Sequence, residues 1–540
     1  MTNDPTLRQR IAANQQQLAA NLSDSYDFIV CGAGASGSVV ARRLAEDPGA
    51  SVLLLEAGGS DDVPSVTEAA QWSTNLGGER DWSFLAEPNP NYNGRALVLP
   101  MGKVLGGSTS INVMTWVRGH QTDWDHFAEE SANDAWNYDS VRKIFARVED
   151  WHGTGDRRLR GNGGAVYISR ADSTHPAGPA VLEAAGVLGI KRFDHPNGEI
   201  MERSGGIATA DNCVRDGKRQ SIFRAYTYPV MDRPNLTVLT NALVRRVIID
   251  GNRADGVEVS HNGAVRRFGA RSEVVLAMGA MNTPKVLMLS GIGDESSLRP
   301  LGIPVVQHLP GVGKNFQNHT AFSCIWETPD YGSREAVGAA LMFWPSRGGL
   351  DAPDLFAAHA PFPLATDEVI ARFGAPDSAW TMFGAATRPR SRGTVELAST
   401  DPDKPVRIAE NGLSHPDDVA WAVECIRGMR EVGNSAGMRP FLRREVMPGD
   451  LKGDELSRYL RDAATSFFHH VGTAKMGRDP LSVVDGSLRV YGIERLRVAD
   501  GSVMPQITVG NTMAPCVVIG ERAAEELKAH HGLAAEKVSV

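Results

Sequence analysis

Residues 26–56 read YDFIVCGAGASGSVVARRLAEDPGASVLLLE, and this stretch decides the fold. An apolar, β-rich run ends at Cys31, and the hexapeptide GAGASG (32–37) follows at once. Residues 38–45 then show helical spacing, and residues 51–55 form a second short apolar run. This order of strand, glycine turn, helix and strand predicts a βαβ unit at the start of a doubly wound α/β sheet.

The glycine turn has the spacing of a dinucleotide-binding site. Gly32, Gly34 and Gly37 form a GxGxxG motif, in which the glycines permit a tight turn, close approach of a pyrophosphate and close packing of helix on strand. Glu56 ends the second strand about 20 residues later, where an acid bonds the ribose hydroxyls of the adenosine. The motif by itself fits either FAD or NAD, and the glutamate argues only against a 2′-phosphate.

Composition limits the remaining possibilities. A chain of 540 residues is too long for one simple core, so we expect two domains. The net charge of −8 and the lack of a strongly basic stretch argue against nucleic-acid partners. Five dispersed cysteines without CxxC spacing argue against a disulfide framework or a metal site. No apolar run reaches the roughly 18–20 residues of a membrane span, and we expect a soluble, cytoplasmic protein.

Local patterns predict further elements along the chain. Helical segments are expected at residues 7–22, 416–437 and 512–530, and mostly loop at residues 58–100. Predicted strands are residues 236–250, 254–260, 264–270, 273–277, 393–398 and 495–499.

Three long segments carry a resemblance to a known family. Residues 102–125 (GKVLGGSTSINVMTWVRGHQTDWD) and 279–293 (GAMNTPKVLMLSGIG) resemble the two signatures of the glucose-methanol-choline (GMC) oxidoreductases. Residues 498–524 resemble the closing flavin and active-site segment of that family, and the blocks occur in the family order over nearly the whole chain.

The resemblance implies FAD as cofactor and a particular domain arrangement. It implies a Rossmann-like FAD-binding domain and a discontinuous substrate-binding domain built on an antiparallel sheet. The expected boundaries are 24–320 for most of the FAD-binding domain, with insertions to the substrate domain at about 150–205. Residues 321–466 would complete the substrate domain, and residues 467–540 would return to the FAD-binding domain with the catalytic residues.

The glycine- and serine-rich run at residues 106–110 suits a flavin. Its side chains are too small to form a core, and they let the backbone approach a flat ring and donate hydrogen bonds to it. Members with covalently bound flavin have a histidine where this chain has Ile111, so we expect non-covalent FAD. The predicted cofactor-binding residues are Gly32, Gly34, Ala35, Ser36, Gly37, Glu56, Ala57, Gly102, Val104, Gly107, Ser108, Asn112, Val113, Val244, Asp500, Gly501, Asn511 and Thr512.

A catalytic pair also follows from the resemblance. His469, in FFHHVGTAKMG (467–477), matches the catalytic histidine of the family, and Asn511 matches a second position that is histidine or asparagine. A neutral imidazole suits removal of a hydroxyl proton near pH 7, and an amide can hold the substrate oxygen beside it. The adjacent His470 remains the alternative base.

The predicted function is oxidation of a primary or secondary alcohol to an aldehyde or ketone, with oxygen or another compound reoxidising the flavin. Alternatives are a flavin-containing hydroxynitrile lyase of the same family, an NAD-dependent dehydrogenase and a non-catalytic binding protein. The sequence specifies neither the alcohol nor the oligomeric state.

Several side chains have two interpretations. Asp500 could meet the flavin or cap a helix, and Val244 could meet adenine or pack in the core. His120 and His319 are expected to be structural. Four aromatic residues could wall a substrate pocket or pack in a core, namely Phe343, Trp344, Phe467 and Phe468.

Overall fold

The βαβ unit predicted at residues 26–56 is present in the computed structural model, which describes residues 5–154, 158–172, 175–331, 338 and 340–534. Two seven-stranded sheets organise the chain. Their strands are β1 Ser25–Cys31, β2 Val52–Leu55, β3 Gly206–Thr209, β4 Leu236–Leu239, β5 Ala242–Asp250, β6 Arg253–His261, β7 Ala264–Leu276, β8 Thr320–Glu327, β9 Ala340–Trp344, β10 Leu355–Ala360, β11 Ala379–Ala386, β12 Arg444–Met447, β13 Thr465–Ser466 and β14 Leu496–Val498.

The first sheet has the order β4-β2-β1-β7-β6-β5, and β14 pairs with the end of β7. The neighbours β4, β2, β1, β7 and β14 run parallel, whereas β6 is antiparallel to both β5 and β7. Strands β2, β4 and β14 are buried along their length, as expected for strands covered on both faces. This doubly wound sheet confirms the predicted α/β class.

The second sheet is antiparallel, with the order β12-β8-β11-β10-β9-β3, and β13 pairs with the start of β8. Its two faces pack against different layers because side chains alternate along each strand. One face carries Trp326, Trp380 and Met382 and packs in a core with a long helix at residues 416–433. The other face carries Leu341, Phe383 and their neighbours and turns toward the cavity described below.

The longer helices cover these sheets. They are α1 Pro5–Ala20, α2 Ala35–Leu44, α3 Gln121–Ser131, α4 Tyr138–Val148, α5 Ala177–Ala184, α6 Gly279–Leu289, α7 Asp367–Phe373, α8 Pro416–Gly433, α9 Gly453–Ala463 and α10 Met513–His531. Helix α10 packs against α2, which brings the C-terminal part of the chain to the glycine turn. None of the helices in the described part of the chain is long and apolar enough to span a membrane.

The strand predictions at residues 236–277 were partly wrong about boundaries. The predicted strand 236–250 is two strands, because Thr240 and Asn241 form a turn and Asn241 has a φ of 52°. The predicted strands 264–270 and 273–277 are one strand, β7. A register irregularity near Arg271 joins its two halves, and that side chain turns outward to pair with Asp27. A charged residue at a bulge thus looked like the end of a strand.

Candidate active site

A large cavity runs from the glycine turn to the inner face of the second sheet. Its lining extends from Gly32 and Glu56 at one end to His469 and Asn511 at the other. Of the predicted cofactor-binding residues, all except Gly37 and Val104 line it.

The glycine turn leaves no space for side chains at two of its three glycines. Gly32 has a φ of 100°, and a Cβ atom there would lie 2.4 Å from the carbonyl oxygen of Ala277. A Cβ atom at Gly37 would lie 1.9 Å from the carbonyl oxygen of Gly32, so helix α2 can start against β1 only with glycine there. Gly34 faces the cavity, and its nearest neighbour would be 4.0 Å from a Cβ atom. The free space at Gly34 fits the approach of a pyrophosphate to the backbone.

Glu56 is fixed at the edge of the same cavity. Its carboxylate accepts hydrogen bonds from the backbone N–H of Ala33 at 3.0 Å and of Gly58 at 2.9 Å. Burial raises the pKa of this carboxyl to about 7, against the lowering effect of these amide donors. Each oxygen keeps a lone pair for a further donor, which suits binding of ribose hydroxyls.

The residues of the first signature form a second loop against the first. Gly107 has a φ of 53°, and a Cβ atom there would lie 2.9 Å from the Cα of Gly34. Ser108 accepts a hydrogen bond from the N–H of Gly102 at 3.1 Å through its Oγ. Val104 does not line the cavity; its carbonyl accepts from the N–H of Gly107 at 2.7 Å and so shapes this turn. Two glycine loops in contact leave a narrow groove of backbone atoms, which fits a flat cofactor.

Asn112 and Ile111 follow on this loop. The amide oxygen of Asn112 accepts from Arg219 Nη1 at 2.8 Å and from the N–H of Met114 at 3.0 Å, so the side chain is held in place. Ile111 is buried, lines the cavity and provides no nucleophile for a covalent bond to a ligand.

Asp500 acts as a cap. It accepts from the N–H of Ser502 at 2.7 Å at the start of the short helical turn Gly501–Val503. Its other oxygen accepts from the N–H of Gly279 at 2.8 Å and from Thr283 Oγ1 at 2.6 Å. These bonds join the closing segment to the start of α6 and place Gly501 at the cavity wall.

His469 and Asn511 meet at the other end of the cavity. Asn511 Nδ2 lies 3.1 Å from His469 Nε2, although 42 residues separate them in the chain. Asn511 comes just before α10, whereas His469 follows β13, which pairs with the start of β8. Phe468, between β13 and His469, has a φ of 67°, a conformation that non-glycine residues seldom adopt and that redirects the chain toward the cavity.

The second nitrogen of His469 is bonded to another histidine. His469 Nδ1 lies 2.8 Å from His319 Nδ1, and His319 Nε2 lies 2.8 Å from the carbonyl oxygen of Thr387. A carbonyl oxygen only accepts, so His319 carries its proton on Nε2. Burial lowers the pKa of His319 to about 4, which leaves its Nδ1 bare. His469 must then donate from Nδ1, and its Nε2 presents a lone pair to the cavity.

His469 is itself neutral. Burial lowers its pKa well below the ordinary value of 6.5, and the proximity of His319 and His470 lowers it further. With a bare Nε2, His469 accepts the hydrogen bond that the Asn511 amide donates. This arrangement provides a hydrogen-bond acceptor and a donor side by side, which is what an alcohol group needs.

His470 has a different environment. Its Nε2 lies 3.3 Å from Ser466 Oγ, and its ring stacks against Phe316 with a centroid distance of 6.0 Å. It also reaches the cavity wall, but it has neither an amide partner like Asn511 nor a second histidine behind it among the described residues. The geometry thus favours His469 as the base.

Sequence reasoning missed the part that His319 plays. It predicted a structural role for His319 and His120, and His120 does cap helix α3. His319, however, contacts His469 because residues 317–321 pair with residues 465–471. No local pattern in the sequence around His319 indicated this contact. Of the four aromatic residues considered, Phe467 and Phe468 line the cavity, whereas Trp344 packs on the opposite face of the second sheet.

Family models match two parts of the chain. The N-terminal model of the GMC oxidoreductases matches residues 26–321, and the C-terminal model matches residues 389–520. The chain therefore belongs to the GMC oxidoreductase family. It is an FAD-dependent oxidoreductase that acts on alcohols, and this family membership removes the nicotinamide-dependent alternative.

Curated relatives are similar over nearly their whole length. The chain is 36% identical to "Oxygen-dependent choline dehydrogenase" of Brucella anthropi over 93% of this chain and 95% of that protein. It is also 36% identical to "Choline dehydrogenase, mitochondrial" of Mus musculus, over 96% of this chain and 92% of that protein.

Solved structures share the whole fold. Pyridoxine 4-oxidase from "Mesorbium loti" superposes with a TM-score of 0.89 at 29% identity, covering 94% of this chain and 99% of that one. Formate oxidase superposes with a TM-score of 0.86 at 26% identity, with the same coverage of both chains.

Proposed function

We propose that the protein oxidises a primary or secondary alcohol to an aldehyde or ketone, with His469 as the base that takes the hydroxyl proton. FAD supplies the acceptor of the hydride from the α-carbon. Choline, in the names of the bacterial and mouse relatives, is a primary alcohol with a quaternary ammonium group, and pyridoxine carries hydroxymethyl groups on an aromatic ring. Both fit this reaction.

One observation carries the proposal, namely the hydrogen-bond chain from the Thr387 carbonyl through His319 to His469 and Asn511. It fixes the tautomer of His469 so that the lone pair of Nε2 faces the cavity. A fixed tautomer avoids the reorientation that a free imidazole would need before accepting a proton.

Substrate binding would replace the hydrogen bond between Asn511 and His469 by two hydrogen bonds to the substrate hydroxyl. The substrate hydroxyl donates to His469 Nε2, and the Asn511 amide, which donates to Nε2 in the free protein, donates to the substrate oxygen instead. When the proton moves to Nε2, His469 becomes an imidazolium whose Nδ1–H is already bonded to His319. His319 thereby keeps Nδ1 of His469 hydrogen-bonded in both protonation states of the base.

The test compares two histidine variants by anaerobic stopped-flow reduction of the flavin. His469→Ala should retain FAD and slow reduction by roughly two to four orders of magnitude, because the proton acceptor is gone. His470→Ala is the matched control and should change the rate by less than about tenfold. Asn511→Ala should weaken both substrate binding and reduction, but less than His469→Ala.

A normal rate in His469→Ala with collapse in His470→Ala would make His470 the base. If the wild-type flavin were reduced by no alcohol in a panel of benzylic, aliphatic, polyol and amino alcohols, the redox proposal would fail and the lyase alternative would gain support.

A further inference from the structure

Apart from His359, His469, His470 and Asn511, the substrate half of the cavity is lined by apolar residues and glycine. The cavity-facing side of the second sheet contributes Leu341 from β9, Ala358 and Ala360 from β10, and Phe383 from β11. These residues share one face because they lie opposite one another in the strand register. Phe467 closes the wall next to His469, with a centroid distance of 5.1 Å between the two rings.

The polar side chains on this face are already bonded. Thr381 Oγ1 donates to the carbonyl of Phe362 at 2.8 Å and accepts from the N–H of Leu364 at 3.1 Å. Ser323 Oγ donates to the carbonyl of Leu364. Both hydroxyls thus fix the segment that contains Phe362 and Leu364, which form a second apolar wall of the cavity.

Charged groups lie at the cofactor end. Among the described residues that line the cavity, the carboxylates are Glu56 and Asp500, and each accepts backbone N–H bonds that hold it in place. Lys285, on α6, donates to the carbonyl of Pro402 at 2.6 Å. In the described part of the wall around His469, no carboxylate is available to pair with a cationic substrate.

The aromatic ring next to His469, that of Phe467, does not offer a free face to a cation either. Phe467 stacks on His469 at an interplanar angle of 15° and on Phe356 at 30°, and Phe383 lies against it at a centroid distance of 4.5 Å. A cation–π site needs a ring face within about 6 Å that is free to receive the cation. The ring of Phe467 is engaged with its neighbours instead.

Proton transfer adds a further penalty for a cationic substrate. The base becomes an imidazolium as it takes the hydroxyl proton, and burial already disfavours that charge, as the lowered pKa of His469 shows. A quaternary ammonium in the same cavity would place a second positive charge near the first, without a counter-charge to stabilise either.

We infer that the substrate is a neutral alcohol with an apolar, aromatic or branched aliphatic body, and that quaternary ammonium alcohols such as choline are excluded. This inference rests on the proposed alcohol oxidation at His469 and adds the chemical class of the substrate. It separates this chain from its relatives named for choline, despite 36% identity over nearly the whole length.

The test uses a matched pair of substrates with the FAD-loaded enzyme. Choline and 3,3-dimethylbutan-1-ol have the same shape, but a carbon atom replaces the ammonium nitrogen in the second. The second-order rate constant of anaerobic flavin reduction should be at least about 100-fold higher for 3,3-dimethylbutan-1-ol, because only choline must lose the hydration of a charge. Equal reduction, or faster reduction by choline, would overturn the inference.

Binding without turnover provides a second readout. Tetramethylammonium and tert-butanol are similar in size, and neither can be oxidised by this reaction. Tetramethylammonium has no hydroxyl group, and tert-butanol has no hydrogen on the carbon that bears its hydroxyl. Titration followed through the flavin spectrum should show tighter binding of tert-butanol by at least about tenfold. Tighter binding of tetramethylammonium would contradict the inference. If the flavin is reduced by no alcohol, the proposed oxidation fails, while this titration still decides between a neutral and a cationic ligand.

A variant of Glu335 tests whether a carboxylate outside the described residues pairs with a cationic substrate. Glu335 lies outside the described residues and is the carboxylate nearest in sequence to Gly338, which lines the cavity. Glu335→Gln should leave the ratio of the two reduction rates unchanged. A fall of tenfold or more in the rate with choline alone would reveal a cation site and overturn the inference.

Discussion

At His469, burial and hydrogen bonding together decide which ring nitrogen can accept a proton. Burial alone would only make the imidazole neutral, with either nitrogen free to carry the proton. The bond to His319, which is itself oriented by the Thr387 carbonyl, decides which nitrogen is bare. The single lone pair that faces the cavity therefore results from the sequence of hydrogen bonds from Thr387 through His319 to His469.

The low pKa of His469 predicts the pH dependence of the reaction. The base must be neutral, and a lowered pKa means that the neutral form persists as the pH falls below 6.5. Activity should therefore be constant through pH 6.5 and decline only in more acidic solution. The profile of kcat/KM for the alcohol measures this directly, and a decline centred at or above pH 6.5 would contradict the assignment.

His319→Phe tests the positioning of the base. The phenyl ring can pack on Phe356 as the imidazole does, but it cannot accept from His469 Nδ1. An unpaired buried N–H costs about 1–3 kcal/mol, so we expect flavin reduction to slow by roughly 10- to 100-fold with FAD still bound.

His319→Asn is the matched control, since its amide oxygen can accept from His469 and should restore part of the rate. The slower reduction in His319→Phe should come with a shift of the acidic limb of its pH profile relative to the wild type, because the His469 tautomer is no longer fixed. Identical rates in the Phe variant and the wild type would show that His319 only fills space.

At the scale of elements, two glycine loops create the cofactor groove. The turn between β1 and α2 and the loop at residues 102–110 touch at Gly34 and Gly107. Neither loop has a groove alone, and the N–H of Gly106 joins them by donating to the carbonyl of Ala33 at 2.8 Å. The first loop was predicted from its spacing. The second was predicted from the resemblance to a family and from the small side chains at residues 106–110.

Gly34→Ala and Gly37→Ala should fail in different ways. The Cβ atom added by Gly34→Ala would enter open cavity space, so the protein should fold normally and bind FAD at least about tenfold more weakly. The Cβ atom added by Gly37→Ala would lie 1.9 Å from a backbone oxygen, so folding itself should suffer. Thermal unfolding of the apoprotein and FAD titration separate the two effects. Unaltered FAD affinity in Gly34→Ala would contradict the assigned role.

At the scale of the whole molecule, the cavity lies between the two sheets. We expect it to hold the cofactor without a covalent bond. By the resemblance to the family, Ile111 corresponds to the histidine of members with covalently bound flavin, and it has no nucleophilic atom. Acid precipitation should therefore release the yellow colour into the supernatant. Ile111→Leu is a control that should behave in the same way. Colour that remains in the pellet would contradict non-covalent binding.

The sequence by itself determined the βαβ unit, the α/β class and the positions of the glycines, Glu56, His469 and Asn511. These features depend on local spacing, on backbone conformations that only glycine adopts and on long signatures. The break at Asn241 and the continuity of β7 were not determined, since pairing with neighbouring strands overrides a local pattern.

Only the tertiary structure decided that His319 stands behind His469 and that the substrate cavity is apolar. Both depend on which strands pair and on which face each side chain takes, and these are properties of contacts between residues far apart in the chain. A one-residue change of register would reverse the faces of the second sheet. The chemistry of the cavity is therefore set by sheet register, which no local stretch of sequence contains.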